Sequence, residues 1–198
     1  MVVDHRAKHR IHFIEPIPSL HSPGGHLSKP VRAVLFDIYG TLFVSDSGDI
    51  GIAQKKAHNL ARLGELCRHY GIDLPPDKIT QRLFQSIRET HERKKQAGIT
   101  YPEIKIDAVW QEILGWQDQD RIHDFALEYE WTVNPSYPMP GLEETLRNIR
   151  RRTQVMGLIS NAQFFTPLLF EWFLGAAPAG CGFMPDLTVY SYQCGEAK

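Results

Sequence analysis

Two short apolar runs stand on either side of a long block that contains no strand-like alternation. The first is Val31-Arg-Ala-Val-Leu-Phe36 and the second Val155-Met-Gly-Leu-Ile159. Each has the length and branched-residue content of a buried strand, and each ends abruptly at polar residues, Asp37 and Ser160-Asn161. A chain of this kind has to bring its two runs together across everything between them. Parallel pairing through a crossover does this, and Gly40-Thr41 permits a sharp turn after the first run.

The intervening block is helical in period. Leu60, Leu63, Leu66, Cys67 and Tyr70 recur at helical spacing, with Gly71 as a stop. Pro75-Pro76-Asp77 opens a second helix with Ile79, Leu83, Phe84 and Ile87 on one face. Ile106, Val109, Trp110, Ile113 and Leu114 suggest a third helix, and Ile122, Phe125, Ala126 and Tyr129 a fourth. Trp110, Trp116 and Trp131 are expected in the core of this bundle. Asn134-Pro-Ser-Tyr-Pro-Met-Pro-Gly141 returns the chain to the sheet. A helix carrying Leu142, Leu146 and Ile149 follows, with Arg150, Arg151 and Arg152 favourably placed against its C-terminal dipole. After the second run the sequence predicts a helix over 164–174 and a third short strand, Leu187-Thr-Val-Tyr190. The expected architecture is α/β: a Rossmann-like parallel sheet core at 31–44 and 137–198, with an all-helical cap inserted at 45–136. Residues 1–30 contain turn-formers without a sustained period and are expected to be an extension, loop or disordered.

Composition removes several function classes. A net charge of −1 with 23% charged residues gives no sign of a nucleic-acid tail or an acidic solvating segment. No apolar run approaches the roughly 20 residues that span a bilayer, and Glu15, Pro16 and Pro18 break up the stretch a signal peptide would need. Cys67, Cys181 and Cys194 are odd in number and match no ligand spacing, so reduced thiols and a cytoplasmic location are expected. A small anionic organic molecule is the expected partner, with no nucleic acid and no membrane; the oligomeric state is left open.

In open parallel sheets, ligands bind beyond the carboxyl ends of the strands. Asp37, Ser160-Asn161 and Lys198 fall at or after three such ends. Any one of them alone is better explained as a helix cap, a turn or a surface residue. Together they place a carboxylate, a hydroxyl and an ammonium at one rim, a set suited to covalent catalysis on an anionic substrate.

The residues also resemble a known family. Phe36-Asp-Ile-Tyr-Gly-Thr-Leu42 is similar to the first motif of the haloacid dehalogenase-like hydrolases, Leu158-Ile-Ser-Asn161 to the second, and Ser191-Tyr-Gln-Cys-Gly-Glu-Ala-Lys198 to the third. Pro138-Met-Pro-Gly-Leu-Glu-Glu-Thr-Leu146 resembles the family's re-entry from cap to core. The resemblance implies that Asp37 forms an aspartyl ester and that Thr41 supports the nucleophile loop. It implies that Ser160 binds a substrate oxygen, with Asn161 and Tyr39 beside it in the catalytic set, and that Lys198 pairs with Asp37. It further implies a small phosphorylated metabolite as substrate, with Mg²⁺ held by Asp37 and the backbone carbonyl of Tyr39.

Two departures qualify that expectation. Phosphatases of the family usually carry a second aspartate where this chain has Tyr39, whereas its 2-haloacid dehalogenases carry tyrosine there and need no metal. That agrees with leaving-group chemistry, since halide departs without a proton and an alkoxide benefits from one. The family's fourth motif, an acidic pair after a further strand, has no counterpart before Lys198. A truncated core that binds Mg²⁺ poorly is therefore expected, and an incomplete or non-catalytic module is the third alternative.

Overall fold

A computed structural model describes residues 24–25, 28–45, 52–152 and 155–198, with the side chains of 52–59 left out. The expectation for residues 1–30 falls almost wholly outside the described residues. Three parallel strands form the main sheet: β1 (Ala33–Phe36), β4 (Val155–Ser160) and β5 (Thr188–Tyr190), in the order β1-β4-β5. Phe36 pairs with Leu158, which pairs in turn with Thr188, so the three carboxyl ends share a rim.

A second, two-stranded sheet joins β2 (Phe43–Ser45) antiparallel to β3 (Ser136–Pro138). The sequence reading did not anticipate it, because three residues are too few to show alternation. Between these two strands lie α1 (Ile52–His69), α2 (Pro76–Gln96), α3 (Ile106–Leu114) and α4 (Gln119–Val133). The β2–β3 ladder is therefore the neck through which the helical insert leaves and returns. Proline opens α2 within its first turn, Gly115 ends α3 in a left-handed conformation, and the Asp118 side chain caps α4 by accepting from Arg121 N–H at 3.2 Å.

The four helices enclose their own core. Trp110, Phe125, Ile79 and Ile122 are fully buried in it, and the Trp110 ring meets Phe125 and Tyr129 edge-on at 4.9 and 4.7 Å. Each such aromatic pair adds about 0.5–1.5 kcal/mol beyond its burial. Two sequence expectations change here. Phe84 is 54% exposed, because α2 turns that position away from its neighbours. Trp131 packs against Trp172 of the α/β core and so marks the seam between the two parts.

The α/β core gathers Met156 and Leu158 of β4 against α5 (Leu142–Arg152) and α6 (Leu168–Leu174) through Leu142, Leu146, Leu169 and Phe170. Helix α6 is shorter than the predicted 164–174. Residues 164–167 form a turn instead, in which Thr166 N–H donates to Gln163 O at 2.9 Å and Pro167 sits at the helix cap. The third strand begins one residue later than expected, since Pro185–Leu187 makes a 3-10 turn. Among the described residues helices cover one face of the sheet, and the other carries Leu35 and Val189, 53% and 41% exposed. Val31–Phe36, expected as a buried strand at the centre or exposed edge of a three-stranded sheet, lies at the edge and is only partly buried, because α5 and α6 pack on the same side. No helix of the described residues is long and apolar enough to cross a membrane. Cys67, Cys181 and Cys194 are free thiols.

Candidate active site

Asp37 leaves β1 at the rim and enters a tight turn. Gly40 takes a φ of 79°, a left-handed conformation that a side chain would strain. This lets Ile38 O accept from Leu42 N–H at 2.8 Å and Phe43 N–H at 3.0 Å. The turn points the carboxylate outward and aims the Ile38 N–H back at Asp37 Oδ1, 2.8 Å away. Thr41 contributes its own N–H to the same acceptor at 3.3 Å.

Lys198 Nζ lies 2.6 Å from Asp37 Oδ2, and the two side chains are 40% and 36% exposed. The ammonium also donates to Ile159 O at 3.3 Å, and Lys198 N–H donates to Asn161 Oδ1 at 2.8 Å. Ser160 is buried at the end of β4, where its hydroxyl donates to Asn161 O at 3.3 Å and lies close enough to the Asp37 carboxylate to lower its pKa. Desolvation pushes the Asp37 carboxyl up. The hydrogen bonds from Lys198, Ile38 and Ser160, with the lysine charge, outweigh it and hold the group below its ordinary value of 3.8. The result is an ionised, water-accessible carboxylate backed by one cation and two neutral donors.

Five of the six residues proposed for catalysis from sequence therefore meet around the rim: Asp37, Ser160, Asn161 and Lys198 directly, and Thr41 through the turn. Asn161 acts on the lysine's backbone in this arrangement. Tyr39 is different. Its hydroxyl lies 3.0 Å from Thr166 Oγ1, and its ring packs into the α/β core. Burial pushes the phenol well up, Glu130 adds to this, and Thr166 partly offsets it. Tyr39 thus has its side chain turned into the structure and only its backbone in the turn.

Several polar groups next to the rim escaped the sequence reading. Glu130 of α4 is a carboxyl that burial pushes up, only partly offset by Asn134 Nδ2 at 2.7 Å. Glu103, Gln163 and Ser191 form a hydrogen-bonded group where the cap meets the core. Local sequence holds no sign of them, because the partners that join them lie between 29 and 88 residues away (for Ser191, Ala162 at 29 and Glu103 at 88). Among the described residues no group of three or more histidine, cysteine or acidic side chains is placed to hold a metal.

A family model of the haloacid dehalogenase-like hydrolases matches residues 31–173, well over half of the chain. No curated protein sequence matches it. Among solved structures, the HAD-hydrolase YfnB from Bacillus subtilis, crystallised with magnesium, is similar at 15% identity and a TM-score of 0.37. That match spans 86% of this chain and 68% of YfnB.

Proposed function

The chain belongs to the haloacid dehalogenase-like hydrolases, and from that premise we propose that it hydrolyses a small phosphate monoester through an aspartyl ester on Asp37. The observation that carries this reading is the 2.6 Å pair between Lys198 and Asp37 at the common rim of three parallel strands. An ionised carboxylate at that rim can attack phosphorus. The Asp37 oxygen–phosphorus bond forms while the bond from phosphorus to the leaving oxygen breaks, and the electron pair departs with the alkoxide. Water then attacks the phosphoaspartate, releasing phosphate and restoring the carboxylate. Lys198 and Ser160 stay within reach of the transferring group's oxygens and stabilise charge that develops there.

The site's exposure supports a hydrated, charged substrate. A dehalogenase would instead favour an apolar pocket around a carbon–halogen bond. That second reading rests on Tyr39, since the position two residues after Asp37 offers no carboxylate to protonate an alkoxide.

Mg²⁺ suits the oxygen chemistry of the turn. Asp37 and the Tyr39 carbonyl would hold it, since a hard cation takes oxygen ligands. When bound, it would neutralise charge on the phosphoryl oxygens.

Asp37→Asn is the decisive variant. The change is nearly isosteric, so the fold should survive while turnover falls by about four orders of magnitude or more. At high Mg²⁺ the wild type should release phosphate from 4-nitrophenyl phosphate, at a low rate. It should release no halide from 2-chloropropionate in a metal chelator. Halide release without phosphatase activity would replace the first reading by the second. Unchanged turnover of either substrate by Asp37→Asn would remove the aspartyl ester from both.

A further inference from the structure

The loop between α2 and α3 reaches out of the helical insert and bonds to the segment that carries Lys198. Glu103 N–H donates to Gly195 O at 3.0 Å, and Ala197 N–H donates to Tyr101 O at 2.8 Å. Pro102 and Glu196 face each other between these bonds in an antiparallel bridge.

One side chain braces this contact from below. Glu103 Oε2 accepts from Ser191 Oγ at 2.5 Å, at the start of α7 (Ser191–Cys194). Glu103 Oε1 accepts from Gln163 Nε2 at 3.3 Å and from Ile104 N–H at 2.8 Å. Gln163 in turn donates to Ile104 O at 3.0 Å and accepts from Ile106 N–H at 3.0 Å. The Lys94 ammonium of α2 donates to Glu103 O. Glu103 thus joins the loop after β4, the start of the segment after β5, and the helical insert.

The same residues lead to the candidate nucleophile. Ser191 Oγ accepts from Ala162 N–H at 2.9 Å, one residue from the Asn161 that holds Lys198 N–H. The bridge at 102 and 196 ends two residues before Lys198 itself.

We propose that Glu103 is a positioning residue for Lys198: it seats the 101–104 loop on residues 195–197, so the ammonium reaches Asp37 only while this part of the insert is docked. This rests on the reading of Asp37 and Lys198 as the reacting pair. A lysine side chain is among those that lose most rotamer freedom when fixed. Its backbone must therefore be held if the ammonium is to stay in place. Asn161 and the 101–104 loop provide that hold from opposite sides. When the loop lifts, one side is lost and the ion pair loosens with it.

The proposal can be tested without turnover, by amide hydrogen exchange and by the ¹H–¹⁵N resonance of the Lys198 ammonium, which is seen only while its protons are held from exchange with water. Glu103→Ala should speed exchange at the Ala197 and Lys198 amides by about tenfold or more and abolish the ammonium resonance. Exchange at Leu158, inside β4, should stay as in the wild type. Glu103→Gln should restore both signals. The new amide's oxygen can still accept from Ile104 and Gln163, and its NH₂ can donate to Ser191 Oγ, whose one proton then turns to Ala162 O, 3.3 Å away. Gln163→Ala removes the neighbouring clasp without touching residues 195–198, and it should loosen the same two amides. A brace that merely stabilised the insert would leave the ammonium resonance unmoved.

The proposal is overturned if folded Glu103→Ala keeps Ala197 and Lys198 exchange within about twofold of the wild type, or if Glu103→Gln behaves as Glu103→Ala does. Should Glu103→Ala not fold, Gln163→Ala decides by the same criterion. Failure here with a dead Asp37→Asn leaves the proposed reaction standing. An active Asp37→Asn removes the reaction while these signals still report the positioning.

Discussion

Asp37 keeps its charge because three donors outweigh the cost of partial burial, and the largest of those donors is Lys198. With the folded value below 3.8, the pair stabilises the protein above the unfolded carboxyl's range, and that stability is lost as pH falls through the folded value. Because both side chains are more than a third exposed, water screens the pair. Lys198→Ala should therefore change stability by no more than about 1 kcal/mol. It should nevertheless raise the Asp37 titration seen by carboxyl ¹³C NMR and lower kcat by about a hundredfold or more. An unmoved kcat would make the lysine a bystander. Glu130 behaves in the opposite sense. Its carboxyl is raised by burial, so its contribution is full below the unfolded value and is lost as pH rises through the folded one. Glu130→Gln should be more stable than the wild type at neutral pH, with the gap closing as pH falls toward 4.5, its ordinary value. Parallel denaturation curves at three pH values would show the trend, and a gap independent of pH would place the cause elsewhere.

At the scale of elements, the position of each strand end depends on one close approach. A Cβ on Gly157 would sit 2.5 Å from Leu187 O and 2.6 Å from Leu35 Cδ2, below any real contact. The Leu35 side chain is exposed and can rotate aside, but Leu187 O is backbone, so Gly157→Ala must push the 3-10 turn away from β4 at a cost of about 1–3 kcal/mol. Since that turn leads into β5 and on to the segment carrying Lys198, the same displacement should raise KM or lower kcat along with the melting temperature. A variant as stable and as active as the wild type would show that this approach is unimportant. The glycine was visible in sequence as part of a buried run, but its tight contact was not. The face that a period assigns says nothing of what lies opposite. For the same reason Phe84 matched its helical stripe and still ended exposed.

For the whole molecule, the significant division is into two cores. One is built around Phe43, Leu158 and Phe170, and the other around Trp110, Phe125 and Ile79. They meet through the β2–β3 neck, the Trp131–Trp172 contact and the polar group around Glu103. A fault confined to one core should therefore loosen that part first. Trp110→Ala removes a fully buried side chain and should cost about 3–5 kcal/mol. Amide exchange should accelerate throughout α1–α4 before it does so at Met156 and Leu158. Uniform acceleration in both parts would show a single cooperative unit instead.

Sequence alone determined where β1, β4 and the helices of the insert lie, because period 2 or 3.6 and a few turn-formers act over short distances. Pro76, Gly71 and Gly115 end or begin their helices as local chemistry requires. It also placed Asp37 and Ser160 at strand ends and Lys198 beyond a third, where parallel topology brings such residues together. Only the tertiary structure decided that α5 and α6 share one face of the sheet, that Tyr39 turns inward to Thr166, and that Glu103 braces the lysine's segment. Each of those depends on partners far apart in the chain. A hydroxyl or a carboxylate has the same chemistry wherever it occurs in a sequence. What it bonds to is set by packing, which settles which distant groups it can reach once water has been excluded.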